Sequence, residues 1–168
     1  MPESYNIIFC SRGNNVINKT SLNAVQYNVN WSVILPKKFK KFHCQFIFKS
    51  ENYNSGVLTD NGFVGMQGIV SNCYDGLSRI SNLGIIYPVF LGGTNSFYNS
   101  TNNDNNDFYI DYPINNLVTI ILNKFDGVTP MGSMPNYTLI MNLQGVTDEE
   151  LRNDNTPMLL DVSPLKLS

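Results

Sequence analysis

The sequence contains a single histidine, His43, and three widely spaced cysteines, Cys10, Cys44 and Cys73, among its 168 residues. One histidine excludes metal sites that need two imidazole ligands, and the lack of a CxxC pair excludes zinc knuckles and dithiol redox motifs. A Ser-His-Asp triad would have to use His43, which no nucleophile-elbow motif accompanies. Neither G-K-[ST] nor GxGxxG spacing occurs, so no phosphate or dinucleotide loop is indicated. We therefore predict no catalytic residue, no cofactor and no metal site.

Charge is also scarce, since only 14% of the residues are charged and the formal net charge is -2. Non-specific nucleic-acid binders carry a basic excess, so no nucleic-acid partner is expected. Because charged side chains are depleted in interfaces, the low charge favours a surface partly covered by neighbours, although a weakly charged monomer also fits. No window approaches the ~18 apolar residues of a membrane span. The first residues lack a signal-peptide pattern, so we expect synthesis in a reducing, cytoplasm-like compartment.

The most regular pattern lies in residues 27–49, which hold the only tryptophan of the chain. Apolar residues alternate with polar ones before and after Pro36, which is the period of half-buried strands. We predict two strands here, over about residues 25–35 and 39–49, and expect their aromatic side chains to supply much of the core. The second strand places Phe42, Cys44, Phe46 and Phe48 on its buried side.

A basic cluster, formed by Lys37, Lys38, Lys40 and Lys41 around Phe39, joins these two strands. The favoured interpretation is the solvated tip of a hairpin, where lysines also discourage edge-to-edge pairing of sheets. The alternative is a contact with an acidic partner or with nucleic acid, because cationic and aromatic side chains are interleaved.

Further strands are predicted near residues 5–10, 63–70, 83–91, 108–112, 117–123 and 137–143. Residues 92–107 form the longest polar stretch and are predicted to be a surface loop. Strands separated by Gly, Pro and Asn turns favour an all-β sandwich or closed barrel of about eight strands.

The C-terminal part differs in character from the rest of the chain. Thr147 and Glu150 have capping-box spacing, which predicts one or two helical turns. Residues 153–168 include Leu159 and Leu160 and are too apolar for a purely solubilising tail. We therefore predict a domain over residues 1–145 and an extension over residues 146–168 that docks on the domain or on a neighbouring subunit.

Four segments carry a resemblance to a known family: YNIIFCSRGNN (5–15), QYNVNWSVILPKKFKKFHCQFIFKS (26–50), YPINNLVTIILNKFDG (112–127) and MPNYTLIMNL (134–143). Their order resembles that of the single jelly-roll capsid proteins of large DNA viruses and virophages. The resemblance implies a single jelly-roll sandwich of antiparallel strands. It also implies a structural virion protein, not an enzyme, that is assembled in the host cytoplasm. The protein would be a penton or minor capsid subunit, and its partners would be further copies of itself or major capsid proteins.

The alternative from a different class is a binding module for glycans or for host attachment. Its binding site would be the Asn- and Tyr-rich stretch of residues 92–112, since aromatic rings stack on sugars and amides bond to hydroxyls. An enzyme ranks last, because no acid–base pair can be assembled from the sequence. The candidate partner contacts from all of these hypotheses are Lys37, Lys38, Lys40, Lys41, Asn95, Tyr98, Tyr109, Leu159 and Leu160.

Overall fold

A computed structural model of the protein describes residues 3–54, 58–72, 82–100, 107–132, 134–147 and 149. Over these residues the chain is almost entirely β, as the alternating patterns predict. The elements are β1 (Ser4–Cys10), β2 (Val16–Ser21), β3 (Ala24–Asn28), α1 (Trp31–Ile34), β4 (Lys41–Ser50), β5 (Gly62–Gln67), β6 (Asn82–Gly92), β7 (Asn95–Asn99), β8 (Asp107–Asp111), β9 (Leu117–Lys124) and β10 (Tyr137–Val146).

The strands form two antiparallel layers that share one long strand. The first sheet has the order β1-β10-β4, after which β8 and β7 both pair with β4, at Lys41–Gln45 and at Lys49 respectively. The second sheet has the order β2-β3-β9-β5. Strand β6 pairs with β5 through residues 82–86 and with β7 through residues 87–92. This order confirms the predicted all-β single jelly roll, and the described residues form ten strands where about eight were expected.

The core lies between the two sheets and is rich in aromatic residues. Strand β4 alternates strictly, so that Phe42, Cys44 and Phe48 are fully buried while their neighbours face outward. The rings of Phe9 on the first sheet and Tyr27 on the second meet edge to face, with centroids 5.2 Å apart. The sheets therefore pack face to face as a sandwich, and the prediction that the aromatic stretch supplies the core is confirmed.

The strand predicted over residues 25–35 is wrong beyond Asn28, where the chain turns into helix α1. Asn28 pairs with Leu117, the first residue of β9, so the later residues have no strand beside them. Val29 still donates to the carbonyl oxygen of Asn116 at 2.8 Å, but the helix residues bond locally, and the N–H of Leu35 donates to the carbonyl oxygen of Trp31 at 2.7 Å. Val33 lies on the apolar side of the predicted strand, together with Trp31 and Leu35, but is 78% exposed for this reason.

Two further expectations about the loops are corrected. Strands β3 and β4 lie in different sheets, so the basic cluster is part of a crossover between layers and not the tip of a hairpin. The predicted polar loop over residues 92–107 contains strand β7, which returns along β6 after a turn at Gly92 and Gly93. Both glycines have positive φ, 110° and 61°, which a residue with a side chain rarely adopts. The predicted capping box lies largely outside the described residues.

Candidate interaction surfaces

The basic cluster is exposed at all four lysines and is anchored to the fold through Phe39. The Phe39 ring is 7% exposed and contacts Phe42 edge to face at 5.8 Å. Lys38 lies 4.9 Å from the centroid of the same ring and also forms an ion pair with Glu3. The hydrogen bond from Lys38 lowers the pKa of the Glu3 carboxyl, and Tyr5 donates a second bond to it at 2.5 Å. The crossover is thus an ordered, cationic surface.

An open cavity of about 420 Å³ adjoins this cluster and is lined by Lys37, Phe39, Lys40, Asp111 and Tyr112. The hydroxyl of Tyr112 donates to the backbone oxygen of Leu35 at 3.1 Å, which fixes one wall. The cavity is therefore lined by positive and negative side chains together with two aromatic rings.

The three residues predicted in the Asn- and Tyr-rich stretch do not form one surface. Tyr98 is 3% exposed, and burial raises the pKa of its hydroxyl to about 12, so its prediction as a partner contact is wrong. Asn95 is exposed at the β6–β7 turn, whereas Tyr109 is 38% exposed on β8. Along the sheet, Asn95 and Tyr109 are about 30 Å apart at the usual rise per strand residue. The glycan site that the sequence suggested therefore lacks an exposed Tyr98 ring, and its other two residues are far apart.

Tyr109 belongs instead to the outer side of the first sheet, together with His43 and Asp107. The rings of His43 and Tyr109 are directly opposite each other in register, with centroids 5.1 Å apart. Nε2 of His43 lies 3.7 Å from Oδ1 of Asp107. His43 is therefore a partly exposed strand residue with polar neighbours, as its place on the polar side of the pattern predicts.

The sequence patterns missed an apolar feature on the same side of this sheet. Ile8, Ile140 and Ile47 are opposite one another on three adjacent strands, and we call them the isoleucine row. Ile8 is 58% exposed and Ile47 is 53% exposed. Each lies at an outward position among polar residues, so the only signal in the sequence was an isoleucine that breaks the alternation.

In the described part of the chain, no group of three or more His, Cys, Asp and Glu side chains is arranged to hold a metal ion. Among the same residues, no helix has the length and apolar character of a membrane span. Cys44 is buried, and burial raises the pKa of its thiol, while Cys10 is partly exposed and also unpaired. The predicted contacts Leu159 and Leu160 lie outside the described residues.

Comparisons with known proteins identify no relative of the chain. No protein-family model, no curated protein and no solved structure matches the chain.

Proposed function

We propose that the protein is a structural virion protein, a single jelly-roll penton or minor capsid subunit that assembles with itself and with major capsid proteins. The observation that carries this proposal is the isoleucine row on the outer side of a jelly-roll sheet. Exposed apolar groups in register across three strands are a feature of surfaces that meet other proteins. The resemblance of four chain segments to jelly-roll capsid proteins is the reason for proposing capsid subunits as the partners.

Four further exposed apolar residues, which do not form one patch, are available to neighbouring subunits. Phe90 and Leu91, each 57% exposed, stand at the end of β6 beside the Gly92–Gly93 turn. Ile114 is 95% exposed in the loop between β8 and β9, and Val128 is 78% exposed after β9. Single exposed apolar residues are ordinary, but these lie at loops where a neighbouring subunit can reach them.

The proposal is tested on particles purified from the cells in which the protein is expressed naturally. We expect the protein to co-sediment with nuclease-protected DNA and a major capsid protein, in a fixed molar ratio measured by quantitative mass spectrometry. Its absence from such particles, or a ratio that falls with each purification step, would contradict a virion role. The ratio also separates the two forms of the proposal, since a penton occurs only at the vertices of a shell.

A further inference from the structure

Strand β1 forms one edge of the first sheet and pairs only with β10 among the described strands. The N–H of Ser11 donates to Tyr137 at 3.0 Å, and the N–H of Gly145 donates to Glu3 at 3.2 Å. Both bonds join residue pairs of the same register, 11 with 137 and 3 with 145. Because hydrogen-bonded pairs alternate along the strand, the odd-numbered residues of β1 are those that bond to β10. In an antiparallel pair the alternate residues direct their N–H and C=O groups to the other side. Ser4, Asn6 and Ile8 therefore present backbone donors and acceptors at the edge.

The other described edges have features that oppose pairing with a further strand. Strand β2 has two register shifts against β3 and carries Lys19. The outer side of β8 is occupied by residues 70–72, which follow β5, since Asn72 donates to Tyr109 at 3.0 Å and Asp111 donates to Val70 at 2.9 Å. Bulges, lysines and covering segments are the usual protections of a sheet edge.

Among the described residues, strand β1 has none of these protections, and its seven residues include no charged residue, proline or glycine. Its pairing with β10 is regular from end to end. A regular, uncharged edge that is free of bulges is a template for another strand. The isoleucine row also ends at this edge, because Ile8 is its last member.

We propose that β1 is a self-association surface, on which β1 of a second copy pairs antiparallel with Ile8 opposite Ile8 of that copy. Both copies of Ile8 direct their backbone groups to the edge, so this register makes Ile8 a hydrogen-bonded pair with itself. Asn6 lies opposite Cys10 of the second copy, whose N–H faces the edge while its carbonyl oxygen accepts from Gly13 at 2.8 Å. The isoleucine row then continues across six strands of two subunits. On the inner side, Ile7 meets Phe9 of the second copy, and no like charges are opposed.

The pairing is isologous, so it closes on two copies and does not depend on the proposed virion role. It is tested on the isolated full-length protein by sedimentation equilibrium over a range of concentrations. We expect a reversible dimer for the unmodified chain. Ile8→Lys removes the central isoleucine pair and opposes two like charges, so the dimer dissociation constant is expected to rise about tenfold or more.

Ile47→Lys is the matched control, since Ile47 lies in the same row and is nearly as exposed but sits on a central strand. We expect this variant to dimerise like the unmodified chain, and both variants to unfold with similar free energies. The inference is overturned if the unmodified chain remains monomeric throughout, or if Ile47→Lys weakens association as much as Ile8→Lys.

The register is tested by disulfide trapping under mild oxidation. Residues in a hydrogen-bonded antiparallel pair have Cα atoms about 5.5 Å apart, which suits a disulfide. Ile8→Cys is therefore expected to give a covalent dimer at high yield. The control is Asn6→Cys in a Cys10→Ser background, because residue 6 would otherwise stand opposite Cys10 of the second copy. With Cys10 removed, the two copies of residue 6 are about 13 Å apart in this register, and we expect no more dimer than in Cys10→Ser alone. Trapping by Asn6→Cys and not by Ile8→Cys would overturn the register.

Discussion

The ring of Phe39 occupies the space that a side chain at residue 145 would need. A Cβ atom built on Gly145 would lie 2.5 Å from Cδ2 and Cε2 of that ring. Gly145 stands on β10 opposite Phe42, which Phe39 contacts edge to face. The Phe39 ring, which anchors the basic cluster, therefore fits only because residue 145 on the central strand β10 is a glycine.

Gly145→Ala is expected to destabilise the fold by about 1–3 kcal/mol, because the added methyl group must displace the buried Phe39 ring. Chemical denaturation measures this change. Gly132→Ala is the control, since no atom lies within 4 Å of its Cβ position, and we expect a change within about 0.5 kcal/mol. Phe39→Ala in the Gly145→Ala background tests the cause: a double variant whose loss equals the sum of the two single losses would show that the clash is not responsible.

Trp31 ties helix α1 to the loop between β8 and β9. Its indole N–H donates to the backbone oxygen of Asn115 at 2.9 Å, and the side chain is 1% exposed. Trp31→Phe leaves that oxygen without its donor, so we expect a loss of about 1–3 kcal/mol in the free energy of unfolding. Val33→Ala, in the same helix but 78% exposed, is expected to be nearly neutral. Equal losses in both variants would argue against the role of the bond.

In the described part of the chain, the hydroxyls of Tyr27 and Tyr137 are buried and influence each other's ionisation, but neither makes a hydrogen bond of normal geometry. A buried hydroxyl with no partner is costly, so Tyr27→Phe is expected to leave the free energy of unfolding at pH 7 unchanged or to increase it. Tyr112→Phe provides the contrast, because it removes a bond to Leu35 and is expected to cost about 0.5–1.5 kcal/mol. A loss in Tyr27→Phe as large as that in Tyr112→Phe would contradict this account.

Alkaline pH should weaken the fold through the same tyrosine. Burial raises the pKa of Tyr27 to about 12, whereas an unfolded tyrosine ionises near pH 10. Above pH 10 the unfolded state therefore binds fewer protons, and the free energy of unfolding falls as pH rises, by up to about 1.4 kcal/mol per pH unit for this residue. Denaturation between pH 9 and 11.5 measures the slope, and Tyr27→Phe should make it shallower. An identical slope in both proteins would exclude Tyr27 as a contributor.

Cys44 and Cys10 should differ in their reaction with a thiol reagent. Cys44 is fully buried and its thiol pKa is raised by burial, while Cys10 is partly exposed at the end of β1. Because the thiolate is the reactive form, we expect Cys10 to be labelled in the folded protein and Cys44 only at the rate of global unfolding. Peptide mapping after timed labelling distinguishes the two. Labelling of Cys44 that is faster than unfolding would indicate local opening of β4.

The sequence was most informative where burial alternates within one strand. On β4 the buried set of Phe42, Cys44 and Phe48 follows directly from the period of two. The same period misled beyond Asn28, because Val29, Trp31 and Leu35 are buried from a loop and a helical turn rather than from a strand. Their placement depends on where β9 begins and on a bond to Asn115, 84 residues away, which no local pattern contains.

Surface predictions were harder for a related reason. Composition marked the stretch around Tyr98 as a polar loop, but strand pairing with β6 turns that ring into the core. The isoleucine row is invisible in the sequence, because Ile8, Ile47 and Ile140 become neighbours only through the register of three strands. The lysines of the basic crossover were correctly expected at the surface, and their role as partner contacts stays a prediction.

Strand β6 belongs to both sheets, so neither sheet can be replaced without the other. Its first half belongs to one sheet and its second half to the other, with Pro88 just beyond the change of partner. An exchange that replaced one sheet alone would have to cut β6, and each sheet would then lose its half of that strand. Turns such as the one at Gly92 and Gly93 carry no such restriction. Insertions should therefore be tolerated at such turns and should destabilise the fold when placed within β6.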